Sequence, residues 1–334
     1  MKRNRISGMG AAVIAALIAV LSSCGTVYDD DLQPCPHGVS LRFVYDYNME
    51  YANAFPAQVD CVTLYVFDSE GNYVTTRTET SEALRDENYR MQIDLEQGDY
   101  RFVAYGGLAC QAHSFILSDE PQADTQWSAL SVEMLHDNFS SDVKLHDFYY
   151  GTEEGTVDAD TYREVTVPLM KNTNNIRVVL QQVNGQALAD EDFVFTLTDD
   201  NTRFDYRNNL VENGTVTYRP WSEGSQTVEE GEADEVTVAY AEFSTSRLVK
   251  EESHRPRLCI QRASDGKVIV DIPLIEYLLL LKSDTYADMG EQEFLDRESN
   301  WSLIFFLDEG LEWLKTQIIV NGWVVRLNGM IIEF

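Results

Sequence analysis

Five histidines (His37, His113, His136, His146, His254) and five cysteines (Cys24, Cys35, Cys61, Cys110, Cys259) are the side chains best suited to metal ligation or nucleophilic catalysis. Their spacing supports neither. No CxxC pair or cysteine–histidine pattern of a zinc site occurs, and HExxH, GxSxG, GxGxxG and Walker A sequences are absent. His136 and His146 could meet acids only through the fold, and surface or capping roles are the simpler expectation. The run "DDNTRFD" (199–205) offers hard oxygen donors for calcium, but it lacks the glycine and the closing glutamate of an EF-hand loop. A polar turn after the strand "FVFTL" explains it better. Trp221, Trp301, Trp313 and Trp323 could form a glycan platform, yet three of them lie in or beside strand-like segments, where core packing is the default. Carboxylates are too numerous for any pair to stand out as an acid/base couple. No catalytic residue, metal ligand or cofactor is expected, and the chain does not read as an enzyme.

One cysteine has a chemical context of its own. Lys2, Arg3 and Arg5 precede the uncharged run "MGAAVIAALIAVL" (9–21), the pattern of a secretory signal. Its thirteen residues reach only ~20 Å as a helix, short of a ~30 Å bilayer core. Leu21-Ser22-Ser23-Cys24 follows and resembles a bacterial lipobox, in which the cysteine thiol is acylated through a thioether and becomes the mature N-terminus. Residues 1–23 are then a lipoprotein signal peptide and Cys24 the lipidation site. Several acyl chains at ~0.8 kcal/mol per buried methylene would hold the protein stably on a membrane. Residues 24–36 show no strand or helix period and read as a flexible tether. Within it, Asp29, Asp30 and Asp31 resemble the export signal of surface lipoproteins of Bacteroidota; the alternative is a solvated tether repelled by an anionic membrane. The expected location is the outer membrane, lipid-anchored and facing the exterior.

The formal charge is −31 over 334 residues, and loss of the three signal cations takes the mature chain to −34. Such a surface repels phosphate backbones and excludes nucleic acid as a partner. With 44% hydrophobic residues the chain has ample material for packed cores.

The elements that must carry any site are strands. "VSLRFVYDY" places Val39, Leu41, Phe43, Tyr45 and Tyr47 on one face, the period of a half-buried strand. "CVTLYVFDSEGNYV" is apolar on both faces before an Asp/Gly/Asn turn, and "MQIDLEQGDYRFVAYGG" repeats the design. "EVTVPLM", "NIRVVLQQV", "DFVFTL", "EVTVAYAEF", "RLCIQRA", "KVIVDIPL", "WSLIFFL" and "QIIVNGWVVRL" form a second set. Short strands punctuated by turns predict an all-β protein of two tandem sandwiches, 37–162 and 163–334, with few short helices. Helical turns are expected after Pro273 and in "GEQEFLDRE". Residues 222–235, with six acids and no Lys or Arg, read as an exposed loop. If "VTLYVF" and "YRFVAY" are antiparallel neighbours, Cys61 and Cys110 fall at the same end of a sheet and can form a disulfide, with Cys35 as a competing partner. Cys259 is then expected free and buried in its strand.

"LYVFDSEGNYV" (64–74), "DYRFVAYGGLAC" (99–110), "KNTNNIRVVLQQVNG" (171–185), "AYAEFSTSRL" (239–248) and "MGEQEFLDRESNW" (289–301), in this order behind a lipobox, resemble the FimB-type fimbrial anchor family, the fimbrillin-associated anchor lipoproteins of Bacteroidales. The resemblance implies two transthyretin-like β-sandwiches. It also implies a cell-surface lipoprotein that holds the base of a fimbria and limits its length by non-catalytic binding to fimbrillin shaft subunits through strand pairing. Shaft subunits are thought to be activated by proteolysis, but no Arg or Lys occurs between Cys24 and Arg42, so this chain is not expected to mature in that way. The C-terminal "VNGWVVRLNGMIIEF" is strand-like and fits either a donor or a core strand. A surface glycan-binding lipoprotein is the alternative that shares the same address.

Overall fold

The computed structural model describes residues 37–334 except 159–160, 231–233, 252–253, 281, 283–285, 321–322 and 328–334, and omits the side chains of 228–235 and from 317 onward. Cys24, Cys35 and Asp29–Asp31 lie outside the described residues, as does the side chain of Trp323.

The alternating segment forms β1 (Gly38–Val44), the centre of a three-stranded sheet between β4 (Met91–Asp94) and β10 (Tyr162–Pro168). Val39, Leu41 and Phe43 point inward and are at most 3% exposed. Beneath them lies a five-stranded sheet in the order β11 (Met170–Lys171), β9 (Tyr149–Val157), β5 (Gly98–Gly106), β2 (Val62–Asp68), β3 (Tyr73–Glu79). β2 and β5 are apolar on both faces because both faces are covered. Leu64, Val66, Phe102 and Ala104 meet β1, while Tyr65, Phe67, Val103 and Tyr105 join a second core on the opposite side.

That second core begins under a small sheet of β6 (Phe115–Leu117), β7 (Ser131–Met134) and β14 (Arg203–Asp205). It continues between two larger sheets. One has the order β16 (Ser222–Glu230), β17 (Asp234–Ser246), β12 (Thr173–Gln182), β20 (Asn300–Leu307), β21 (Trp313–Val320), β22 (Trp323–Leu327). The other runs β19 (Val268–Pro273), β18 (Arg257–Arg262), β13 (Phe193–Asp199), β15 (Val216–Tyr218), β8 (Ser140–Ser141). Three short α-helices, α1 (Phe55–Gln58), α2 (Leu274–Leu279) and α3 (Glu291–Arg297), and three 3-10 turns complete the described elements. Pro273 sits at the N-cap of α2, and α3 falls within "GEQEFLDRE".

The all-β sandwich architecture is as expected. The boundary expected at 162/163 falls one residue inside β10, whose parallel pairing with β1 ties residues 162–168 to the three-stranded sheet. Two pairings also join the halves, β7 with β14 and β8 with β15. The expected loop over 222–235 is corrected for its described residues: 222–230 form β16 and 234–235 begin β17, paired antiparallel from Ser222↔Glu242 to Glu230↔Asp234. The segment has no apolar alternation to reveal a strand. Its order comes from the backbone of β17, and β16 lies at the sheet edge, where charged residues oppose unwanted pairing.

Candidate functional site

The side chains that suggested chemistry are dispersed. His136 accepts from Phe139 N at 3.2 Å and stacks on the Phe139 ring, closing a turn. His146 pairs instead with Asp60 at 3.2 Å. Asp60, His146 and the Cys110 sulfur lie within 4.8 Å of one another. That sulfur is bonded to Cys61, across a Cα–Cα distance of 5.4 Å, so it has no thiolate to give a metal. The disulfide follows from the antiparallel register of β2 and β5, in which Val62 faces Gly106. Cys259 is free in β18 and half-buried rather than buried.

The acids of "DDNTRFD" serve different partners. Asp199 is fully buried beside His254 at 2.6 Å, and Asp200 accepts from Asn213 N. Asp205 accepts from Arg207 N and Asn209 N within its own turn. They do not converge on one cation position.

The tryptophans are equally divided. Trp301 is 2% exposed and donates to Asn174. Trp313 packs edge-on against Tyr277 and Phe305, and Trp221 lies under the Lys144 ammonium at 5.0 Å. The fifth, Trp127, lines an open cleft with Asp68, Tyr100, Arg101 and Glu154. Its ring is already engaged by the Arg101 guanidinium at 3.7 Å and by Tyr206 at right angles.

What the fold does bring together is a polar joint. β10, β11 and β12 follow one another with only Leu169 and Asn172 between them, so the chain passes from the three-stranded sheet through the five-stranded sheet to the six-stranded sheet without a linker. Asn172 and Asn208 exchange side-chain hydrogen bonds at 2.6 and 3.0 Å. Arg247 makes two parallel bonds to Asp296 at 2.7 and 2.8 Å and a third to Asn208 O. Gln292 bonds Asp296 and Leu248 O, and Asn174 reaches Ser246 O while holding Trp301. The residue after Asp296 in α3, Arg297, donates to Asp46 O and Asn48 O and stacks on Tyr47 and Tyr51. Three of the phrases that carry the family resemblance therefore meet at this joint. Composition gave no sign of it, because Asn, Arg and Asp are ordinarily surface residues.

The surface also carries unpaired strand edges. β3, an edge of the five-stranded sheet, and β4, an edge of the three-stranded sheet, flank an open groove. It is lined by Thr75, Thr76 and Arg77 on one side, Gln92, Ile93 and Asp94 on the other, and Tyr162.

The sequence profile of the fimbrillin-A associated anchor proteins Mfa1 and Mfa2 matches residues 32–329. The chain belongs to this family. It is therefore a fimbria-associated protein of a structural family. A candidate adhesin of Bacteroides thetaiotaomicron is 55% identical over 89% of this chain and 100% of its own, with a TM-score of 0.84. A candidate polysaccharide-binding protein from the same organism is 31% identical over 88% of this chain and 98% of its own, with a TM-score of 0.75. The fimbrial anchor protein Mfa2 of Porphyromonas gingivalis shares the fold, with 17% identity over 87% of this chain and 99% of its own and a TM-score of 0.65. No curated protein matches.

Proposed function

We propose that this protein is a lipid-anchored subunit of the outer membrane that faces the cell exterior, holds the base of a fimbria and limits its length by binding fimbrillin through strand pairing. The observation that carries this reading is the extent of the family match, which takes in 32–329 and hence nearly all the folded chain. A lipid on Cys24 would fix one end in the membrane, with the acidic stretch Asp29–Asp31 directing export and the tether to residue 36 giving reach. The strand edge assigned to fimbrillin is β3, where backbone bonds would supply affinity and the Thr75–Arg77 and Gln92–Asp94 walls selectivity. β1 stays in place: Val39, Leu41 and Phe43 are buried, each at about 1.5–3 kcal/mol, and no basic residue from 24 to 41 offers a trypsin-like cut before the strand.

Deleting the gene should give fimbriae that are longer or shed into the medium. A Cys24→Ala form should take up no labelled palmitate and should not restore retention. A photo-crosslinker at exposed Arg77 should capture fimbrillin. Normal length and attachment in the deletion strain would defeat this reading and favour glycan binding, which rests on what the 31%-identical relative is described to bind.

A further inference from the structure

Tension between the tether and the second sandwich has one short route through the fold. β1 and β10 run parallel through seven register pairs, from Gly38↔Tyr162 to Val44↔Pro168. Gly38 N to Thr161 O (3.5 Å) and Leu169 N to Val44 O (2.7 Å) extend the ladder at its two ends. β10 then leads through β11 into β12, an interior strand of the six-stranded sheet. A pull on residue 37 enters β1 at its N-terminal end. A pull from the second sandwich enters β10 at its C-terminal end. Because the strands are parallel, these are opposite ends of the ladder, and the strands can part only by sliding past each other. The evenly spaced bonds of a parallel pair then resist together. An antiparallel pair loaded at one shared end opens one bond at a time.

We infer that the parallel β1–β10 pair is a shear clamp, which gives this protein a tension-bearing function between the tether and the second sandwich. The direction of load rests on the anchoring reading; the clamp is a property of the fold. Side-chain packing adds to the backbone. Val39, Leu41 and Phe43 alternate into the first core, so a slip of one residue would turn that whole face outward and bring Ser40 and Arg42 in. The disulfide supplies a second safeguard. It closes a 49-residue separation inside the first sandwich, and this length stays out of the extended chain if the clamp yields. At ~3.6 Å per residue that withholds about 180 Å.

Single-molecule pulling on the soluble chain beginning after Cys24 tests this without any destabilising substitution. One pair of handles is placed at the N-terminus and on Gln186, which is exposed just beyond β12. The other is placed at the N-terminus and on Gln97, exposed just past β4, where Gly38 pairs with Asp94 at the same end of an antiparallel ladder. The first geometry should rupture at several-fold higher force than the second, and its released length should grow by about 180 Å when the disulfide is reduced. Equal rupture forces, or a release unaffected by reductant, would overturn the clamp. A clamp that passes in a strain whose deletion leaves fimbriae normal would remove the anchoring reading while leaving the mechanical one intact.

Discussion

Replacing Asp296 by Ala removes one carboxylate from the joint and leaves the Arg247 guanidinium behind. In the folded protein the Arg247 side chain is 14% exposed and that of Asp296 5%, so neither charge can turn to water. Arg247 would keep its bond to Asn208 O but lose both bonds to the carboxylate, and Gln292 would lose its bond to Asp296. Removing one member of a buried, bidentate pair costs about 3–5 kcal/mol, most of it the uncompensated charge. For a chain of this size that is a fall in thermal midpoint on the order of 10 °C. The internal control is Arg262–Asp265, whose side chains are 27% and 52% exposed; Asp265→Ala should be nearly neutral, because water and salt screen an exposed pair. Arg247→Met combined with Asp296→Leu should recover much of the loss, since an apolar pair of similar volume needs no desolvated partner. The assay is urea denaturation of the soluble chain beginning after Cys24. Equal losses for Asp296→Ala and Asp265→Ala would show that the joint is not a buried charge network.

Cys110→Ser should destabilise by about 4 kcal/mol on loop-closure grounds, and non-reducing peptide mapping should join Cys61 to Cys110; a peptide linking either residue to Cys35 would refute the pairing. Burial disfavours the His254 imidazolium, but its hydrogen bond to Asp199 and the charges of Asp199, Asp200 and Glu251 outweigh this and raise its pKa. The His254 contribution is therefore fully present just below the unfolded value of about 6.5 and is lost as pH rises through the higher folded value; burial raises the Asp199 carboxyl as well, so protonation of Asp199 removes the pairing from the acid side. The wild-type advantage over His254→Gln should shrink between pH 6 and pH 9, and an unchanged difference would contradict the assignment. Gly38→Ala would set a Cβ 1.9 Å from Ile93 O, forcing β1 and β4 apart; a loss of at least about 1–3 kcal/mol in denaturant midpoint is expected, and a neutral variant would refute the close approach.

How much of this was legible in the sequence depended on where each element finds its partner. β1, β2 and β5 carry their own period, so Val39–Leu41–Phe43 and the double-faced "LYVF" announced buried strands before any partner was known. The antiparallel neighbours β2 and β5 then placed Cys61 beside Cys110. β6, β7 and β8 are two to four residues long, too short for a period to emerge. β8 exists because Thr217 and Tyr218, more than seventy residues away, offer it a backbone. β16 is similar, with an acidic sequence that resembles a loop and an order supplied by β17. The joint was hidden for a different reason. Asn172, Asn174, Asn208 and Asp296 are surface residues by composition and become interior ones, with Arg247 half-buried over them, only because their partners are assembled around them.

The lack of a linker at that joint determines what the polar network can do. Separate domains are ordinarily joined by exposed segments that let them move, whereas residues 37–334 form one compact unit. Here β10, β11 and β12 are nearly continuous, so any change of angle between the sheets must distort a strand or break bonds to buried side chains. Asn172 makes both backbone and side-chain bonds, its N to Phe148 O at 2.7 Å and its amide to Asn208, leaving it little freedom to act as a hinge. Apolar contacts alone could slide, since they are non-directional. Bidentate and reciprocal amide bonds cannot slide without breaking. The Asn172–Asn208 amide pair at the strand junction and the Arg297 bonds to Asp46 O and Asn48 O therefore fix orientation as well as proximity where β10 leads into β12.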